Sequence, residues 1–482
     1  MKVYKFGGAS VRSADGVRNL AAVVAAELGR CEGSVDELRL VVVVSAMGKT
    51  TNALEAVVEA LMAGDTARAA QLLAVSESYH RAIAEELFGD VPERVGELFA
   101  ELGALVASGA GCENTENQTI SIEGYSDAPV ASGAVPDAVS GDRAGRSGGV
   151  SGGQAAVRCS GAREYDRWYD AIVSYGELIS TTIVSEHLTR VGLANRRLDM
   201  RRCLITDARF REAGIDFAAS ELCLRRETAG ASEPVWVGQG FIGATVDGQP
   251  TTLGREGSDY SAAVLAYLLD AESVTIWKDV EGILNADPRI FPDAVYIPEL
   301  TYLDAIELAY GGAQIIHPKT IKPLYNKHIP LYVRPFAEPD KPGSVIRSEM
   351  AAPIDVPILI VKHDQALVSV RPNDFSFVLQ ERLGEIISHF ESNRVKINLI
   401  QSSAVNLSLC VDNSRTLGEA IASLDGSFRV VYNDGMKLLT VRGYTPELLS
   451  RYEDRQGVFL MQKTRRIMRV VLRSDSLDEK TG

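Results

Sequence analysis

Lys5 is followed by Phe6, Gly7 and Gly8, so a cation stands beside backbone that carries no side chain. Amides exposed in this way can approach phosphate oxygens while an ammonium neutralises the charge developing on them. Three further segments combine charge with turn-forming residues: Gly254-Arg255-Glu256-Gly257-Ser258-Asp259, Trp277-Lys278-Asp279-Val280-Glu281-Gly282 and Ala286-Asp287-Pro288-Arg289. Arg255, with glycines on both sides of its loop, can clamp a carboxylate through two parallel N–H bonds. Distant loops that jointly supply lysine, arginine and bare backbone point to phosphoryl transfer between a nucleoside triphosphate and an amino acid.

Other runs are weighed in the same way. Ser45 to Thr51 follows an apolar stretch and opens a helix, a natural seat for an anion, although N-capping by Thr50 or Thr51 explains it equally simply. Gly48-Lys49-Thr50 imitates the end of a P-loop, but that motif's first glycine would fall at Val43, inside a strand, and the reading fails. Glu177, beside Gly176 and amid apolar neighbours, needs a cationic partner, which a substrate ammonium can supply. Asp259 would also serve as an N-cap, and Asp287 before Pro288 reads first as a structural turn. Gly238-Gln239-Gly240-Phe241-Ile242-Gly243 matches the dinucleotide fingerprint in form, yet the turn Ala244 to Gly248 follows where a helix should open, so NAD binding is rejected.

The elements that must hold these residues alternate strand and helix, as in an α/β domain with a covered parallel sheet. Strands are predicted at Val3 to Phe6, Leu38 to Ser45, Val235 to Val237 and Ser273 to Trp277, with helices at Ala14 to Leu28, Thr51 to Met62, Thr66 to Phe88 and Asp259 to Leu269. One long helix is expected from Tyr165 to Val184. Between Ser108 and Gly161 the sequence turns to Gly, Ser, Ala and Asp without apolar periodicity, which predicts a flexible insertion. Pro335 to Pro342 marks a linker, after which strands (Ile358 to Val361, Leu367 to Val370, Lys396 to Ile400, Asn406 to Val411, Phe428 to Tyr432, Lys437 to Val441) alternate with helices (Phe377 to Phe390, Leu417 to Leu424) as two βαββαβ modules.

With 482 residues the chain is long enough for two or three cores. A net charge of −14 excludes binding to nucleic acid through a broad basic surface, so any phosphate site is local. The six cysteines show no C-x-x-C pair, the first residues run straight into a strand and no apolar run reaches membrane-spanning length, so a reducing cytoplasm is expected rather than secretion.

The four charged segments together resemble those of aspartate kinases, amino acid kinases that carry C-terminal ACT modules. The resemblance implies a three-layer αβα sandwich with a mostly parallel central sheet over residues 1–350, followed by tandem α+β ACT modules over 355–482. It implies ATP-dependent phosphorylation of the β-carboxylate of L-aspartate to 4-phospho-L-aspartate, the entry step to lysine, threonine and methionine synthesis. Carried over by position, Lys5, Phe6, Gly7, Gly8, Lys278, Asp279, Leu284, Arg289 and Gln314 would hold ATP. Ser45, Thr51, Glu177, Arg255 and Ser258 would hold aspartate, and Asp259 would orient Lys5 or the substrate. Mg²⁺ would ride on the phosphates, with no metal ligands expected from the protein. Asn398, Ser402 and Ser403 match the effector-binding edge of the first ACT module, for lysine or threonine, and ACT modules imply a homo-oligomer. The chain departs from the family's pattern at Ala9, Glu256, Leu284 and Gln314, where threonine, glycine, an aromatic residue and a phosphate-binding lysine are usual. Lys278 is the residue that could replace the last charge. Two rivals remain: a glutamate-using kinase of the same fold, and a catalytically dead amino-acid sensor.

Overall fold

A computed structural model describes residues 1–30, 40–109, 154–313, 316–350, 354–374, 376–424, 426–453 and 455–474. Two compact units are formed, one by Met1–Glu281 with Lys319–Ser348, the other by Gly282–Pro318 with Glu349–Gly482.

In the first unit the central sheet runs in the order Ser344–Arg347, Leu331–Pro335, Ser273–Lys278, Lys2–Phe6, Leu40–Val44, Val235–Gln239, Asn195–Leu198. These neighbours are parallel except Ser344–Arg347, which runs antiparallel to Leu331–Pro335. Leu40–Val44 is buried at every residue, as an unbroken valine run covered on both faces must be. Beneath the strand ends Phe6 stacks on Trp277 with ring centroids 6.1 Å apart, and Phe336 packs edge-on against Phe6 at 5.6 Å. A small second sheet joins Ile205–Thr206, Ile242–Thr245 and Pro250–Thr252. Strands after Gly240 confirm that no helix opens behind the dinucleotide-like glycines.

Two expectations about helices need correction. The single helix from Tyr165 is two, Gln154–Val173 and Tyr175–Arg190, with the break at Ser174. There the Ser174 hydroxyl donates to the Ala171 carbonyl at 3.0 Å, and Gly176 lets the next helix approach until an added Cβ would lie 3.0 Å from Ala46 Cβ. The low-complexity stretch is also shorter than expected, because Glu93–Gly109 and Gln154–Val173 are helical at its two ends. Its remainder, 110–153, lies outside the described residues.

The second unit is built on an antiparallel sheet in the order Ile397–Ser402, Leu407–Asp412, Ile358–Pro372, Phe428–Arg442, Ile467–Arg473, Val458–Lys463. Four short strands were expected where Ile358–Pro372 and Phe428–Arg442 form two continuous ones. Register shifts between Lys362 and Leu367 mark where each long strand passes from one ACT module to the other. One core gathers around Val368, Ile386, Phe390 and Leu409, another around Leu439, Tyr452, Met468 and Val470. The intertwined modules therefore share their central strands. Among the described residues no helix is long and apolar enough to cross a membrane.

Candidate active site

The parallel strands end level. Phe6 lies opposite Val44 and Trp277, and Val44 opposite Gln239. Ligand crevices of open α/β sheets form beyond such carboxyl ends. Here a cavity of about 350 Å³ opens, lined by Lys5, Ser45, Thr51, Glu177, Ser258, Asp259 and Lys278. Gly8 and Glu256 also reach it.

Backbone meets backbone at its floor. The Gly48 N–H donates to the Gly8 carbonyl at 3.0 Å. A Cβ on Gly8 would sit 2.6 Å from the Ala46 carbonyl oxygen, so only glycine permits this approach. The Ser180 hydroxyl holds the Ser45 carbonyl at 2.7 Å, fixing the loop that carries Ser45 and Thr51.

Opposite charges face each other across the floor. Lys5 Nζ lies 2.6 Å from Asp259 Oδ1, and Lys278 Nζ lies 3.7 Å from Oδ2. Burial alone would raise the Asp259 carboxyl, but the two ammonium groups outweigh it and hold its pKa below the ordinary value. Asp259 is therefore not the helix cap that its sequence position allows. It sits inside the first turn of Gly257–Leu268, whose N-cap is Glu256 in the left-handed conformation (φ 53°, ψ 30°).

Glu177 is the other buried acid that lines the cavity. Its Oε1 accepts from the Ala46 N–H at 3.2 Å, while Oε2 has no hydrogen-bond partner among the described residues. Burial pushes its pKa up to about 8. A buried carboxylate with one oxygen unmatched is costly unless a cation arrives.

The remaining candidates are placed as follows. Phe6 is buried beneath the site and does not line the cavity, and Gly7 stands beside Lys5. Arg255 is exposed on the rim between Gly254 and Glu256, which do line it. Asp279 is exposed. Leu284 and Arg289 belong to the second unit, where Arg289 pairs with Asp287 at 2.7 Å. Gln314 lies outside the described residues. Asn398 is buried, donates to Gln365 Oε1 and Asp412 Oδ1 at 2.7 Å each, and accepts from Lys362 at 2.7 Å. It also lines a groove of about 550 Å³ with Glu391, Lys396, Gln462 and Arg469. Ser402 ends a strand, and Ser403 closes the following turn through its N–H to the Asn406 carbonyl at 2.8 Å.

Supports for these loops escaped the sequence reading. His80 is fully buried, with Nδ1 2.7 Å from the Ser76 carbonyl and Nε2 3.2 Å from the hydroxyl of Thr50, which donates to the Met47 carbonyl at 2.6 Å. The Tyr79 hydroxyl donates to the Arg12 carbonyl at 2.6 Å and closes over Gly48. Asp170 is equally buried. The one available signal was a polar residue on a helix face whose neighbours are apolar.

Residues 1–335 match the family described as "Amino acid kinase family". Lysine-sensitive aspartokinase 3 of Escherichia coli is 32% identical over 285 residues, 57% of this chain and 63% of that protein. Chloroplastic aspartokinase 2 of Arabidopsis thaliana is 28% identical over 433 residues, 87% of this chain and 68% of that protein. The chain thus spans 63% of the length of the E. coli relative and only 32% of a bifunctional aspartokinase/homoserine dehydrogenase from Arabidopsis thaliana. Among solved structures, E. coli aspartokinase III in complex with aspartate and ADP aligns with a TM-score of 0.72 at 24% identity, covering 99% of this chain and 97% of that one. Aspartate kinase from Clostridium acetobutylicum aligns with a TM-score of 0.70 at 16% identity, covering 99% and 98%.

Proposed function

This chain belongs to the amino acid kinase family, and on that premise we propose that it transfers the γ-phosphoryl group of ATP to the β-carboxylate of L-aspartate. The observation that carries the reading is the pairing of two lysines, Lys5 and Lys278, with one buried Asp259, in a cavity that also holds the half-unmatched Glu177. Positive charge at one end suits a phosphoryl group. At the other end, a buried carboxyl group with one oxygen unmatched suits an ammonium, whose charge would favour its ionised form.

In this reading the aspartate ammonium meets Glu177, Ser45, Thr51 and Ser258 contact the substrate, and Arg255 folds from the rim onto the α-carboxylate. The β-carboxylate, already ionised, attacks the γ-phosphorus in line. A new P–O bond forms as the bond to the β-phosphate oxygen breaks, and ADP leaves with that electron pair. No proton has to be removed, so Asp259 serves to aim Lys5 and Lys278 at the equatorial oxygens, where charge must be stabilised. Gly7 and Gly8 offer backbone to the same phosphates. Asp279 takes the nucleotide side, and Lys278 supplies positive charge there. Mg²⁺ enters as part of the Mg-ATP substrate. Both Asp259 oxygens face lysines, and among the described residues no group of three or more His, Cys, Asp or Glu is set to hold a metal.

The ACT modules receive an amino-acid effector, lysine or threonine, and join copies of the chain into a homo-oligomer. The groove containing Asn398 presents Glu391 to an ammonium and Lys396 with Arg469 to a carboxylate, with Ser402 and Ser403 at the end of the same strand. A cytoplasmic site of action fits this chemistry.

Hydroxylamine trapping tests the reading. With Mg-ATP, aspartate should yield the acyl hydroxamate and glutamate far less. The opposite preference would support the glutamate kinase, and no product with either, alongside retained lysine or threonine binding, would support a sensor.

A further inference from the structure

Asp170 lies at the end of the helix Gln154–Val173, one turn before the segment that carries Glu177. Its side chain is fully buried and gathers hydrogen bonds from two separate segments. Oδ2 accepts from the Arg211 N–H and the Thr252 N–H, both at 2.9 Å, and Oδ1 accepts from the Thr252 hydroxyl at 2.6 Å. Thr252 is the last residue of the strand Pro250–Thr252, directly before Leu253-Gly254-Arg255. Arg211 is a non-glycine residue at φ 68°, a conformation that costs free energy unless the surroundings impose it. Its carbonyl oxygen abuts Gly254, where an added Cβ would come within 3.0 Å. The Ala213 N–H ties the same loop back to the Thr252 carbonyl at 3.0 Å. Outside, the Arg211 guanidinium lies 4.3 Å from the Tyr169 ring centre and 3.3 Å from Glu55.

We propose that Asp170 is a positioning residue for amino-acid recognition: it fixes the Arg255 loop at a set distance from Glu177, so that the two ends of the substrate are read from one rigid frame. This rests on the kinase reading above and adds to it a residue that does not itself line the cavity. A frame of this kind acts on the amino acid. Lys5 and Lys278 are anchored in strands of the central sheet and meet this segment only through Asp259, so the nucleotide side is affected less. Leucine at this position would leave both backbone N–H donors unmatched, whereas asparagine could keep them on its amide oxygen and turn its NH2 toward the Thr252 hydroxyl, which can accept.

The test compares wild type with Asp170→Leu, Thr252→Val and Thr252→Ser in the hydroxamate assay, with Mg-ATP affinity and thermal unfolding measured beside it. Asp170→Leu is expected to raise the aspartate KM by about tenfold or more, with ATP affinity changed less than about threefold. A folded Asp170→Leu protein with an unchanged aspartate KM overturns the inference. Should that variant not fold, the threonine pair decides. Thr252→Val should raise the aspartate KM about threefold or more while Thr252→Ser restores it, and an unchanged KM in Thr252→Val overturns the inference. A wild type that makes no aspartyl hydroxamate would count against the kinase reading. An active wild type with unresponsive variants counts against the role of Asp170 alone.

Discussion

Burial pushes the pKa of Glu177 up to about 8, which favours its protonated form at neutral pH. An unfolded chain releases that proton near the ordinary glutamate value of about 4.3. Between these values the folded state binds more protons than the unfolded one, so this residue makes stability fall as pH rises through that window. Glu177→Gln is expected to melt higher than wild type at pH 8 and close to it at pH 5, read by thermal unfolding. A bound ammonium would reverse the shift and expel the proton. Calorimetry of aspartate binding at pH 7 in buffers of differing ionisation enthalpy should therefore report release of about one proton. At this scale Lys5, Ser45, Thr51, Glu177, Ser258 and Lys278 were legible, and the structure gathers them around one cavity. Asp259 was legible only as one of two alternatives, because a carboxylate in a first helical turn can cap or can pair. His80 and Asp170 were not legible, since a polar residue within a helix looks the same in sequence whether it faces water or a buried loop.

Loops gain their geometry from the elements that end beneath them. The Gly8 backbone rests on Ala46 and Gly48, and a methyl group at Gly8 would have to push these two loops apart. Gly8→Ala is expected to lower kcat/KM about 100-fold with little loss of helix or strand content, measured by steady-state kinetics and circular dichroism. Strand and helix types were legible in the first unit because valine runs and helical periodicity are strong there. Continuity was harder to read. Polar residues around Lys362 and Asn433 suggested strand ends, while Ile358–Pro372 and Phe428–Arg442 run on through a register shift. The break at Ser174 was missed because apolar spacing barely changes across it.

Across the whole molecule, ion pairs between distant segments are where sequence reading stops. Within the second unit Arg442 pairs with Asp304, which is buried and also closes a capping box with Thr301. Nothing in a linear sequence couples positions so far apart. Removing the guanidinium would strand a buried charge, so Arg442→Ala is expected to destabilise the chain by about 3 kcal/mol, read by denaturant unfolding. Effector control belongs to this scale too. Millimolar lysine or threonine should lower the rate of hydroxamate formation, and unchanged activity with both together would remove that proposal.

The central claim is that Lys5 and Lys278, aimed by Asp259, steady a phosphoryl group as it passes to a carboxylate. Single-turnover transfer from Mg-ATP to aspartate by Lys5→Ala tests it most directly. The predicted result is a rate at least about 10³-fold below wild type, with ATP affinity changed less than about tenfold. A rate within about tenfold of wild type would contradict it.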